Sequence, residues 1–428
     1  MLRWLPLMFV LVGPARVAVA SDDAQDPGED LVRQALDSNP TMESLRERVA
    51  ALQSRTIQAS ARPEPMVGIE YSNVPVTTPV PGNHPMSGLQ LKLQRTLLFP
   101  GTVPRRVASA EARVQIGEAS YGEGRVALAA AVRRGFWRLT LTRQLRAVTE
   151  DHLAQVDQLI DAVRAGYEVG KAGQHDLLNL QLLRDRLDDD LQEYDRVDRE
   201  LTAGLTAAIH AEGTSPVQTP SQTPMPPHPG SLDALLETAT THNPTLARLS
   251  ATEAAETAAA EMARREAWPD VTLWAGYRVR APIDGGDDGT NQASLGLSIP
   301  LPTAASKRWG GAEAEHEALA RAAQSSSAAF VDDLRAALDA ALARWERATD
   351  KAVTYREQLI PDARTTLEAT LVAYQVGRAD YASLFQAEVQ LLDLERAART
   401  AETDAALAEV DVAMTLGTAE RTVEGVER

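Results

Sequence analysis

The chain is built twice from one pattern. Leu36-Asp37-Ser38-Asn39-Pro40-Thr41 returns as Thr240-Thr241-His242-Asn243-Pro244-Thr245, shifted by 204 positions. Each copy leads into a helical segment that ends at a proline, Pro65 or Pro269, again 204 apart. Further on, Ala165-Gly166-Tyr167-Glu168-Val169-Gly170 matches Val372-Ala373-Tyr374-Gln375-Val376-Gly377 at a shift of 207. A tandem duplication of a unit of roughly 200 residues follows, because self-similarity at a fixed period marks a repeated structural unit. Gly213 to Gly230, rich in Pro, Thr and Ser, has linker chemistry.

Within each unit two kinds of periodicity alternate. After Pro65 come Val67-Gly68-Ile69-Glu70-Tyr71, a turn-rich stretch, and Gly88-Leu89-Gln90-Leu91-Lys92-Leu93-Gln94. After Pro269 come Val271 to Tyr277 and then Ser294 to Ile299. Apolar residues occupy every second position, the period of a strand with one wet and one dry face. A half-buried soluble sheet alternates identically. From about Val103 to Ile209 helix formers dominate, and Leu180, Leu183, Leu187, Leu191 and Tyr194 form an apolar seam at coiled-coil spacing. Leu334, Leu338, Ala341 and Trp345, then Leu384, Ala387, Leu391 and Leu394, repeat it. Breaks at Gly170–Gly173 and near Gly377 turn each run into a hairpin. An arm from Val103 to Arg164 is ~90 Å long at 1.5 Å per residue, the reach of a device that spans a compartment.

The remaining composition narrows the class. The formal charge is -17, aromatics are 4% of residues and cysteine is absent. An acidic chain without a basic run does not fit a nucleic-acid binder. The acidity reads either as a solvated surface or as an acidic lumen that favours cations. Absence of thiols suits an oxidising compartment. Met1-Leu2-Arg3, the apolar Trp4–Val12 and Ala18-Val19-Ala20 before Ser21 read as a secretory signal peptide cleaved near Ala20. No later apolar run approaches the ~18 residues of a membrane helix, so membrane residence has to come from strands. Four strands cannot close a barrel, and closed membrane barrels begin at about eight. Several chains must then contribute to one barrel.

No catalytic signature is present: no nucleophile elbow, no phosphate loop, no cysteine. Asp188-Asp189-Asp190 reads as a solvated helix face. None of the seven histidines forms a His-x-x-x-His pair, and His175 beside Asp176 is the suggestive neighbourhood at a tip. Met66 and Met86, flanking the first strand-to-strand loop, are possible soft-metal ligands, with interface packing the plainer reading. No cofactor and no catalytic residue is expected.

The duplication, the Asn-Pro-Thr helices, the paired strands and the Tyr-x-Val-Gly tips together resemble the TolC-like outer-membrane efflux proteins. The segment Pro63-Glu64-Pro65-Met66 to Asn73-Val74-Pro75, with Pro85-Met86 and Phe99-Pro100-Gly101, resembles the heavy-metal branch, although Thr102 stands where a lysine is common there. The resemblance implies a mostly α chain with a small membrane β-barrel portion. Its long coiled-coil hairpins would form a periplasmic tunnel, and four strands per chain would contribute to a twelve-stranded barrel in a homotrimer. The implied function is a passive exit channel in the cell outer membrane, conducting heavy-metal cations. It would work with a periplasmic adaptor and an inner-membrane RND-type pump, in contact with outer-membrane lipid and with no nucleic acid. Drug efflux and type I secretion are alternatives of the same architecture; a soluble periplasmic scaffold or adaptor is the alternative of another class.

The expected organisation is a signal peptide at 1–20 and a first repeat at 21–211, with a β-hairpin at 66–96 and a helical hairpin at 103–210. A linker at 212–230 precedes the second repeat at 231–416, with a β-hairpin at 270–300 and a helical hairpin at 303–415, and 417–428 forms a tail. The resemblance also assigns sites. Tyr167, Val169, Gly170, Tyr374, Val376 and Gly377 are expected at the adaptor-contacting tips. Asp176, Asn179, Asp380, Ser383, Gln386 and Glu388 are candidates for the channel aperture.

Overall fold

The computed structural model describes residues 27–74, 76–77, 86–170, 172–211, 217–280 and 289–419. The signal-peptide region, part of the linker and most of the C-terminal tail lie outside them. Helices α1 (Pro27–Ser38) and α2 (Pro40–Ser60) precede strands β1 (Met66–Ser72) and β2 (Gly88–Leu97). The long helix α3 (Thr102–Glu168) turns back into α4 (Gln174–Ala208). The second half repeats the order with α5 (Leu232–His242), α6 (Pro244–Glu266), β3 (Val271–Val279) and β4 (Gln292–Ser298). It then continues through α7 (Ala305–Thr354), α8 (Ile360–Gln375) and α9 (Tyr381–Leu416).

The repeated Asn-Pro-Thr has a two-sided job. Asn39 accepts the Thr41 N–H through Oδ1 at 2.8 Å, capping α2, and donates through Nδ2 to the Ala208 carbonyl at the end of α4, also at 2.8 Å. Asn243 does the same, accepting from Thr245 at 2.8 Å and donating to the Thr415 carbonyl at the end of α9 at 2.9 Å. An amide carries its acceptor and its donor on two separate atoms, whereas an ionised Asp has no donor and Ser has a single, shorter oxygen for both tasks. Proline follows at the first helical position, where its missing N–H costs nothing. Each asparagine thereby ties a helix start to the end of the hairpin in its own half.

α3 alone has 67 residues, about 100 Å of rod. The second arm is interrupted once. Tyr355–Leu359 form a π turn in which the Ile360 N–H reaches the Tyr355 carbonyl. Pro361 follows directly; it has no N–H for the usual i→i−4 bond, and the wider turn accommodates it inside a continuous rod. The seams expected from the leucine spacing are buried at Leu180, Leu183 and Leu187 on α4, Leu334, Leu338, Ala341 and Trp345 on α7, and Leu384, Ala387 and Leu391 on α9, and partly buried at Leu191, Tyr194 and Leu394. A core near the hairpin tips joins α3, α4, α8 and α9. Two further cores lie under α1 and α5. From Val217 on, the Pro-rich connection is packed, not free. Val217 joins a core, and Arg143 Nη1 donates to its carbonyl. Thr223 and Gln144 are hydrogen-bonded at 3.2 Å.

The strands form a single antiparallel sheet in the order β1-β2-β3-β4, so the two hairpins join through β2 and β3. Among the described residues, β1 and β4 each keep one edge without a neighbouring strand. No helix among the described residues is long and apolar enough to cross a membrane.

Candidate functional site

The register sorts every strand side chain onto one of two faces. Val67 faces Leu93, Ile69 faces Leu91 and Tyr71 faces Leu89. Leu89, Leu91, Leu93 and Leu97 face Val279, Tyr277, Ala275 and Val271 in turn. Leu273 and Ala275 then face Leu297 and Leu295. All lie on the same face, because side chains directly opposite each other share it. Arg95, opposite Leu273, is the single charge on this face among the described strand residues. The face is uncovered: Ile69 is 74% and Leu295 85% exposed. Leu89 to Leu97 span about 27 Å along the strand, of the order of the ~25 Å apolar band of an outer-membrane barrel.

The opposite face is polar and arranged in rows. Glu70, Gln90, Arg278 and Gln292 form one; Gly68, Lys92, Gly276 and Ser294 the next; Met66, Gln94, Trp274 and Gly296 a third. Arg278 donates to Gln90 at 2.8 Å. The Lys92 ammonium stands 5.0 Å from the centre of the Trp274 ring. The Trp274 indole lies over Gly296, where an added Cβ would come within 2.4 Å of it, so the tryptophan requires glycine on the next strand. This wall carries Lys92 and Arg278 against Glu70. This face is not itself acidic, and the chain's excess negative charge resides on the helices and loops. Met66 and Met86 cannot share a ligand, because they sit at opposite ends of β1, one starting the strand and the other before β2.

At the far end the two hairpins turn alike. Gly377 has φ +73°, its N–H bonds to the Tyr374 carbonyl, and the Arg378 N–H bonds to that of Ala373. That pair of bonds ends a helix with a left-handed residue, which glycine adopts without a Cβ clash. Gly170, at φ +75°, repeats the turn with Tyr167. Val169 and Val376 just before the glycines are 68% and 63% exposed, and Tyr167 is also exposed.

The acids proposed near the aperture have local duties. Asp176 is buried, and its Oδ2 accepts the Gly173 N–H at 2.9 Å, capping α4. His175 Nε2 lies 3.0 Å from its other oxygen. Asp380 caps α9 by accepting the Ser383 N–H at 2.9 Å. Hydrogen bonds from Ser383 hold the Asp380 carboxyl below its ordinary pKa. Asn179, Ser383 and Gln386 are exposed, as is Asp380. Glu388 is a correction: it is 1% exposed and turned into the bundle, so its carboxylate does not line an aperture.

The sequence reading did not reach the group that holds Glu388. His152 on α3 is equally buried, with Nδ1 2.7 Å from Glu388 and Nε2 3.1 Å from Glu395. Arg364 Nη2 donates to the other Glu395 oxygen at 2.7 Å. Burial disfavours the imidazolium, but the hydrogen bonds it donates to both carboxylates outweigh that, and the His152 pKa rises to about 9. Glu388, Glu395 and Glu402 recur every seven residues on one face of α9, and that heptad of acids was the signal available. Tyr381 was also missed. Its pKa is pushed up to about 12 by burial and then by Asp176 and Tyr374, which gathers both tips around one carboxylate. Among the described residues no group of three or more His, Cys, Asp or Glu is arranged to hold a metal ion.

The family model described as outer membrane efflux protein matches residues 31–202 and 235–418. Solved structures share the fold. The outer membrane protein VceC of Vibrio cholerae is 18% identical, with 91% of this chain and 96% of that one covered and a TM-score of 0.75. The MtrE outer membrane channel of Neisseria gonorrhoeae, in its open state, is 16% identical, with 92% and 90% covered and a TM-score of 0.73. CusC is 16% identical, with 91% and 92% covered and a TM-score of 0.74. The three are alike in similarity and single out no branch of the family. No curated protein sequence matches the chain.

Proposed function

The chain belongs to the outer membrane efflux protein family, and from that premise we propose that three copies form a passive exit duct for a tripartite efflux system. The carrying observation is the sheet: one continuous uncovered apolar face, a polar reverse face, and two edges without partners, all on one chain. In lipid an unpaired strand edge costs several kcal/mol per orphaned backbone group. Closure with copies of itself satisfies β1 and β4, and three chains give twelve strands. The apolar face then meets outer-membrane lipid and the polar rows line the bore. Helices of about 100 Å carry the bore into the periplasm. Their tips, with exposed Tyr167, Val169 and Val376, suit contact with a periplasmic adaptor, which couples the duct to an RND-type inner-membrane pump. Asn179, Asp380, Ser383 and Gln386 remain the aperture candidates. The duct itself performs no chemistry.

Heavy-metal cations are the cargo favoured by the likeness of the Pro63–Gly101 segment. Drug-like organic solutes are the second reading, favoured by Lys92, Arg278 and the Trp274 ring on the bore-facing wall. The test is single-channel recording in planar bilayers, with native mass measurement of the purified protein. Trimers and discrete conductance steps are expected. A water-soluble monomer that never inserts would overturn the duct and promote the periplasmic scaffold. Sensitivity of a deletion strain to divalent metals, compared with its sensitivity to organic toxins, decides the cargo.

A further inference from the structure

The four helix–strand junctions carry cations that the rest of this acidic chain would be expected to pair. Arg62 lies between α2 and β1, Arg95 near the end of β2, Arg265 before β3, and Lys307 with Arg308 after β4. Among the described residues none of the five has a carboxylate within ion-pair distance, although Glu64 lies nearby in sequence. Their neighbours do: Arg105 pairs with Glu261, Arg106 with Glu266 and Arg264 with Glu313. Aromatic rings accompany the free cations. Arg265 stands 4.4 Å over Phe99, which stacks on the exposed Trp268 at 5.1 Å, and Arg308 stands 4.6 Å over Trp309. Rings with cations at the end of an apolar band are the composition of a membrane interface.

Arg95 is the informative member, because it stands in an apolar row. Next to it a shallow, open hollow of about 550 Å³ lies over Ala275, lined by Leu93, Leu273, Leu295, Leu297 and Arg95. Arg62 and Arg95 also line a second hollow of about 350 Å³ beside Leu97 and Phe99. A guanidinium at the edge of a lipid-facing wall turns its head to the interface and keeps its stem on the apolar surface. Each guanidinium lining that hollow carries a planar set of donors suited to phosphate oxygens.

We propose that Arg62 and Arg95 hold the phosphate of an anionic glycerophospholipid from the periplasm-facing leaflet, with one acyl chain in the hollow over Ala275. The site rests on the duct reading, which places the apolar face in lipid. Three copies give three such sites around the barrel, and Arg265, Lys307 and Arg308 extend the basic collar between them. The collar fixes the depth of the barrel at the leaflet where the helices begin.

The test is native mass spectrometry of the full trimer, incubated separately with phosphatidylglycerol, phosphatidylcholine and inorganic phosphate. The parent protein is expected to retain phosphatidylglycerol at least fivefold over phosphatidylcholine. Arg62→Gln with Arg95→Gln should lose that preference. Ala275→Leu should lower lipid retention by filling the hollow, and Arg105→Gln, whose arginine is already paired, should leave it unchanged. Equal retention of both lipids by parent and double variant, with trimers and conductance intact, overturns the collar and leaves the duct standing. Phosphate binding that ignores Ala275→Leu and competes fully with lipid overturns the lipid as occupant. A parent protein that neither trimerises nor conducts overturns the duct, and the collar with it.

Discussion

At the scale of single residues, the most consequential group lies inside the bundle and away from the aperture. His152, held between Glu388 and Glu395, ties α3 to α9 inside the apolar core that Val148 and Val156 share with Leu384 and Leu391. Its displacement from an ordinary 6.5 to about 9 corresponds to about 3 kcal/mol of coupling. Because the folded value is raised, that stabilisation is complete below about 6.5 and is lost as pH rises through 9. Glu395 is held below its ordinary value, chiefly by His152, so its share is lost on acidification instead. Thermal melting followed by circular dichroism should therefore show the helical part losing stability from pH 7 to 10. His152→Ala should remove that slope and cost about 3–5 kcal/mol at pH 7, because it strands a buried carboxylate. His152→Leu with Glu388→Leu should recover part of the loss; a double variant no better than the single would show that the charge pair is not what binds the helices. The acidic heptad on α9 was legible in the sequence, but its pairing with His152 was not. His152 and Glu388 lie 236 positions apart, and an isolated histidine in a helical run gives no sign of what faces it.

Among the elements, strands and hairpins were legible because each rests on a local rule. Alternation set the faces of β1 to β4, and the two Tyr-x-Val-Gly sequences marked turns that need a left-handed residue. Joining of the hairpins through β2 and β3 was not legible, since pairing between the repeats depends on tertiary closure. The π turn before Pro361 escaped for a different reason: a proline inside a helical pattern ordinarily signals an end, and here the rod absorbs it. The tips carry their own prediction. Val169 and Val376 project from equivalent turns with little to pack against. Val169→Glu with Val376→Glu should weaken adaptor binding about tenfold or more, since buried apolar anchors dominate such contacts. Conductance in bilayers should persist, because neither side chain lies on the strands. Co-purification with the cognate adaptor, measured beside conductance, separates the two effects. Undiminished adaptor binding would move the contact off the tips.

For the whole molecule, charge is distributed in opposition along its length. The composition suggests an acidic duct, yet the bore-facing rows of the sheet place Lys92 and Arg278 against Glu70, so three copies would surround the barrel bore with six cations and three carboxylates. Low-dielectric walls focus such a field along the axis instead of letting it dissipate. An exit route for divalent metal ions would have to overcome this stretch, whereas an aromatic anion would find both charge and a Trp274 surface there. Reversal potentials across a salt gradient decide between them. Lys92→Gln with Arg278→Gln should raise the cation-to-anion permeability ratio by about two- to tenfold, and more at low salt, where screening lengths grow. Asp380→Asn should lower the ratio if the tips set selectivity. The acids of the β3–β4 connection, Asp284, Asp287 and Asp288, lie outside the described residues and stay intact in every variant. A ratio unmoved by the barrel substitutions but sensitive to Asp380→Asn would assign selectivity to the periplasmic mouth and return metal cations to first place. The reverse result would make the barrel the filter and favour organic cargo.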